Sequence, residues 1–182
     1  MRLLHLNKLK EGLPVLSKNR GANMAEAIAF CLTMQGFKSG VTLKIEGDYK
    51  EEFQLIWTDI IDEDVIKSWQ DWKEATEEGA MGLSILVLME ITNYNYFERS
   101  HQTTGYDFWL DIIKEEDWRN TKRKKLAKLE ISGIWKETKS NTVNMRISQK
   151  LKQVKRVTLD ENLPIFIAVI EFGTPKAKII KR

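Results

Sequence analysis

The sequence predicts an α/β protein of the α+β type, with a mixed central sheet, a helix on each face, and an N-terminal helix plus β-hairpin elaboration. Three observations carry this. Residues 41–57 alternate apolar and polar with a period of two on either side of Gly47-Asp48. Residues 73–92 contain no proline, and their apolar side chains cover most of a helix. Ile165–Ile170 is an unbroken apolar run entered through Pro164, the pattern of a strand covered on both faces.

Taken in order, residues 1–20 read as a loosely structured arm with one short helix. Asn23 is a candidate cap for a helix from about Met24 to Gln35, ended by Gly36. The hairpin pairs Val41-Leu43-Ile45 with Phe53-Leu55-Trp57, and an acidic helix follows near Asp62–Trp72. The buried helix over 73–92 contains Gly79 and Gly82, each costing about 1 kcal/mol against Ala, so both imply close packing. Strands are expected over Tyr94–Arg99, Tyr106–Leu110 and Leu126–Ile134, the second after a Thr103-Thr104-Gly105 turn. Residues 111–125 form a charged connection. A helix spans about Thr142–Arg156, and the basic tail from Thr174 is expected to extend a sheet edge. Residues 1–72 are thus an N-terminal extension packed on a core of 73–182, the whole forming one compact domain.

Composition narrows the function. The longest apolar run, Leu83–Met89, is far below membrane-spanning length, and the first residues are too charged for a secretory signal, so a cytoplasmic protein is expected. One cysteine, Cys31, excludes a disulfide framework within the chain, and its apolar surroundings make it a core thiol. Two histidines, His5 and His101, leave little for His-rich metal sites or Ser-His chemistry. No nucleophile elbow or phosphate-binding glycine loop occurs. The net charge of +3 is unevenly spread: residues 1–113 carry 11 Lys/Arg against 18 Asp/Glu, whereas residues 114–156 carry 14 against 5. Such a basic block suits polyphosphate.

Two carboxylates stand where strands rarely hold them: Asp107 in Gly105-Tyr106-Asp107-Phe108-Trp109, and Glu130 in Leu129-Glu130-Ile131. Glu74, Glu77 and Glu78 open the long helix. Carboxylates converging on one point call for a divalent cation with oxygen ligands. Arg146, Lys150 and Gln153 fall on one face of the next helix, beside an apolar stripe of Val143, Ile147, Leu151 and Val154. Structural roles account for the same residues. Asp107 would cap a turn, Glu130 would pair with Lys128 or Arg99, and the helix glutamates would favour the helix N-terminus.

The order helix with Glu, strand, strand with Asp, strand with Glu, helix, strand resembles the core of the PD-(D/E)XK, or restriction-endonuclease-like, nucleases, over residues 73–172. The phrases EATE, RS…GYDFWL and LEISGI are similar to those of a group of uncharacterised bacterial proteins. The superfamily resemblance implies an α-β-β-β-α-β core and a Mg²⁺ (or Mn²⁺) ion held by Asp107 and Glu130, with Glu77 or Glu74 completing the site. It also implies hydrolysis of DNA phosphodiesters. The usual lysine two residues after the strand Glu is Ser132 here, and Lys150 is the candidate to replace it. Arg146, Gln153 and the block Lys122, Arg123, Lys124 and Lys125 would contact the nucleic acid. The alternative is a catalytically inactive nuclease-fold component of a bacterial defence or mobile-element system, binding nucleic acid or a partner protein.

Overall fold

The computed structural model describes residues 2–101, 104–114, 125–157 and 163–182. In chain order the elements are β1 (Arg2–His5), α1 (Asn7–Lys10), α2 (Lys18–Met34), β2 (Thr42–Gly47), β3 (Glu51–Ile56), α3 (Glu63–Ser68), α4 (Trp72–Ile91), β4 (Tyr96–Arg99), β5 (Phe108–Asp111), β6 (Ala127–Ile134), α5 (Val143–Val157), β7 (Ile165–Glu171) and β8 (Lys176–Lys181). The strands form one mixed sheet ordered β1-β3-β2-β8-β7-β6-β5-β4. The expected succession of helix, three strands, helix and strand from residue 73 onward is observed.

All seven residues of β7 are buried, as its lack of alternation predicts. Phe166, Ala168 and Ile170 face the larger core, built with α2 and α4. Ile165, Ile167 and Val169 face α5, where Val143, Ile147 and Val154 meet them. Burying each such side chain fully is worth about 1.5–3 kcal/mol. A 15-residue helix is marginal in water by itself, so α5 owes its stability to this stripe. β6 runs parallel to β7, with Glu130 opposite Ile167, and antiparallel to β5, with Leu129 opposite Phe108.

α4 begins at Asp71, whose carboxylate accepts from the Lys73 and Glu74 amides, and ends at Thr92, whose hydroxyl donates to the Leu88 carbonyl. The close packing expected at its glycines is present. A β-carbon at Gly82 would lie 2.8 Å from Met24 Cβ in α2.

Three expectations are corrected. The arm over residues 1–20 is ordered: β1 pairs in parallel with β3, Leu4 and Leu6 are fully buried, and Arg2 and Lys8 each reach Glu90 at 2.6 Å. These cations, Lys8 foremost, hold the Glu90 carboxyl below its ordinary range. α2 starts at Lys18 rather than Met24. Its cap is Ser17, whose hydroxyl accepts from the Arg20 amide, and its first turn is polar, so periodicity could not signal it. The C-terminal tail is not an edge. β8 lies between β7 and β2 because Ala177 and Ile179 fill the core between them, joining the hairpin to the rest of the sheet.

Gly133 in β6 sets the distance between α4 and the sheet, since a β-carbon there would lie 2.5 Å from the Thr76 carbonyl oxygen. Gly133→Ala is therefore expected to cost roughly 1–3 kcal/mol, as other overpacked core positions do. A urea unfolding midpoint equal to that of the native chain would contradict this contact.

Candidate active site

The strand expected over Tyr106–Leu110 starts only at Phe108, so Asp107 falls outside it, yet the β5–β6 register still brings Asp107 and Glu130 together. Asp107 immediately precedes β5, and its amide donates to the Leu129 carbonyl at 2.8 Å. Its Oδ2 accepts from the Ile131 amide at 2.8 Å. Continuing the register from Phe108–Leu129 sets Asp107 opposite Glu130. Alternation along β6 turns Leu129, Ile131 and Gly133 toward α4, leaving Lys128, Glu130 and Ser132 for the α5 face.

Glu130 is 3% exposed. Lys150 Nζ in α5 donates to its Oε1, and Gln153 Nε2 approaches the same oxygen at 3.5 Å. The predicted helix face thus delivers two of its three residues to one carboxylate. Burial, and next the Asp107 charge, push the Glu130 carboxyl from 4.5 up to about 7, against the opposing pull of Lys150. Asp107 in turn has Arg99 Nη1 at 3.5 Å from Oδ1, an arginine the sequence offered as a partner for Glu130.

Asp107, Arg99 and Lys150 border a cleft of about 620 Å³ between the start of α4, the end of β6 and the face of α5, with Glu130 buried behind Asp107 and Lys150. Asp107, Ser132, Lys150 and Arg146 line it, together with Arg99 and Lys73. Arg146 Nε donates to Asn141 Oδ1 at 2.7 Å, and Arg146 has no carboxylate partner among the described residues.

The helix glutamates do not complete the cluster. Glu77 lines the cleft, but its side chain is 62% exposed and stands 3.9 Å from Lys73 Nζ. Glu74 is exposed and does not line the cleft, and Glu78 is held by Arg20 at 2.6 Å. Among the described residues no group of three His, Cys, Asp or Glu side chains is placed to hold a metal ion. The reason is geometric. α4 packs on the face of the sheet opposite Glu130, so its first turn meets the pair only across the cleft.

Lys122, Arg123 and Lys124 lie outside the described residues. Lys125 sits 3.5 Å from Glu98 and 4.3 Å over the Trp109 ring, which packs it along the β4–β5 edge. His101 does not line the cleft, and Cys31 is a buried core thiol as expected. Sequence reasoning missed Trp72 and Trp135, which stack at the mouth of the cleft with ring centroids 4.7 Å apart. No spacing links residues 63 apart in the chain. Among the described residues no helix is long and apolar enough to cross a membrane. Comparison with family models, curated proteins and solved structures returns no match.

The two acids strain the fold electrostatically. Because Glu130 holds its proton more tightly when folded, its ionisation opposes folding progressively as pH rises from about 4.5 to about 7. Asp107→Asn removes the neighbouring charge while keeping an oxygen for the Ile131 amide. It is expected to raise the unfolding midpoint at pH 8 by about 2–4 °C, equivalent to about 1 kcal/mol in a chain of this size. The gain should shrink below pH 5, where Glu130 is protonated. A uniform change at both pH values would show that Asp107 does not act through Glu130.

Proposed function

We propose that the chain is a divalent-metal-dependent phosphodiesterase acting on DNA, built on the PD-(D/E)XK plan. One observation carries the reading: Lys150, from the helix following the third core strand, meets buried Glu130 beside Asp107 at the wall of an open, cation-lined cleft. The order α4-β4-β5-β6-α5-β7, with three antiparallel strands and then a parallel one, supports it.

The donor set suits Mg²⁺ or Mn²⁺. Two hard carboxylates, one of them buried, close enough to repel, gain from a cation between them. Asp107 and Glu130 would hold the ion, with water in place of a helix glutamate. When bound, such an ion supplies charge at the scissile phosphate and acidifies a water. The protein's part is positioning. Glu130 is fixed by Lys150 and Gln153, and Asp107 by the Ile131 amide. Lys150 has three N–H donors, of which Glu130 takes one, so it can also orient the attacking water or stabilise charge developing on the phosphate. Arg146, which lines the cleft, would grip a phosphate oxygen.

Nicking of plasmid DNA with Mg²⁺ or Mn²⁺ tests this. Asp107→Asn should abolish activity, and Lys150→Met should lower the rate by about 10²–10³. The methionine variant also strips Glu130 of its cation and should lose roughly 1–3 kcal/mol of stability, so rates are compared well below its unfolding midpoint. A readout independent of activity is thermal unfolding with Mn²⁺, which should raise the midpoint of the native chain but not of Asp107→Asn. No Mn²⁺ shift and no nicking would overturn the reading.

A specific feature favours a second reading. Ser132 stands where the superfamily has lysine, and both carboxylates already face cations, Lys150 and Arg99. A scaffold of this fold that binds nucleic acid or a partner protein without cutting, within a bacterial defence or mobile-element system, fits that feature. Retained DNA binding without metal uptake would select it.

A further inference from the structure

Trp72 is the first residue of α4, held there by the Asp71 cap, and remains 49% exposed. Its ring stacks on Trp135 at 4.7 Å with an interplanar angle of 24°. Trp135 is backed by Phe30 at 6.1 Å, and Phe30 by Trp69 at 6.3 Å. The Gln35 side chain also donates to the Trp135 carbonyl at 3.1 Å. The row of rings therefore runs from the buried core outward and ends on a stacked, half-exposed indole at the cleft. The same cleft is lined by Arg146, Lys73 and Lys150. Cations beside an oriented aromatic surface match a nucleotide, whose phosphate takes the cations and whose base takes the ring.

We infer that Trp72, backed by Trp135, is a stacking platform for an unpaired base, so that the cleft takes single-stranded DNA or a frayed or unpaired nucleotide in preference to intact duplex. In a duplex both faces of a base are covered by its neighbours. Only an unstacked base offers a face to an indole. The inference rests on the nucleic-acid reading of the cleft and specifies its substrate class.

The test is fluorescence anisotropy with a short fluorescein-labelled oligo-dT and with the blunt duplex of the same strand, in EDTA and with Ca²⁺. The native chain should bind the single strand more tightly. Trp72→Ala should weaken single-strand binding by roughly 5- to 150-fold, the range for loss of one base–aromatic stack, with little effect on the duplex. Trp72→Phe, which keeps a ring at the same position, should retain most of the affinity and guards against a folding artefact. Single-strand binding should also quench tryptophan emission less in Trp72→Ala than in the native chain. Unchanged single-strand affinity in Trp72→Ala, or equal losses on both DNAs, overturns the platform. Plasmid nicking alongside such a result would leave the nuclease reading standing. Trp72-dependent single-strand binding with no Mg²⁺- or Mn²⁺-dependent cutting of either the single strand or plasmid DNA would keep the platform and sink the nuclease reading. Absence of binding to either DNA at low salt would sink both.

Discussion

The parallel pairing of β6 with β7 is the constraint from which the candidate site follows. Parallel neighbours cannot be joined by a tight turn, so the chain must cross over one face of the sheet between them. α5 is that crossover, and its apolar stripe locks it over Ile165, Ile167 and Val169. Once docked in that register, the residues flanking the stripe have no choice of neighbour. Lys150 and Gln153 come down on Glu130, and Arg146 reaches the cleft one turn earlier.

The electrostatics follow from the same packing. Glu130 lies on the face that α5 covers, so it is desolvated by the very helix that brings its cation. Asp107 faces it from the residue just before β5, and the pair retains a repulsion that one ammonium does not cancel. A buried carboxyl set beside a second carboxylate opposes folding and is a feature of sites that bind a cation or move protons. The Glu171 carboxylate makes the contrast clear. It is just as buried, yet it accepts from the Gly173 and Thr174 amides and the Thr174 hydroxyl, an arrangement that closes a turn and leaves nothing for a ligand.

The N-terminal segment acts on the site from behind. α2 packs against α4 at Gly82, and Phe30 of α2 supports Trp135 at the cleft. β8 joins the hairpin strands to β7, so the core and its elaboration share one sheet. The cleft walls are thereby braced by residues more than a hundred positions away in the chain.

The elements with a local signal could be read from the sequence: the period-two hairpin, the long apolar helix, the doubly covered strand, and Glu130 as an acid inside a strand, with Asp107 falling one residue before the strand expected to hold it. Those signals arise from which faces of a single element are buried, and a periodic pattern records that directly. The rest follows from contacts between distant segments. Short β1 and the polar first turn of α2 carry no periodicity, because partners supplied by β3 and Ser17 hold them. The insertion of β8 between β7 and β2 depends on pairing across the chain. The exclusion of Glu74 and Glu77 from the carboxylate pair depends on which face of the sheet α4 covers. The stacking of Trp72 on Trp135 depends on where two distant elements end. Each is a relation between segments, and hydrophobic pattern encodes burial but not the identity of the neighbour.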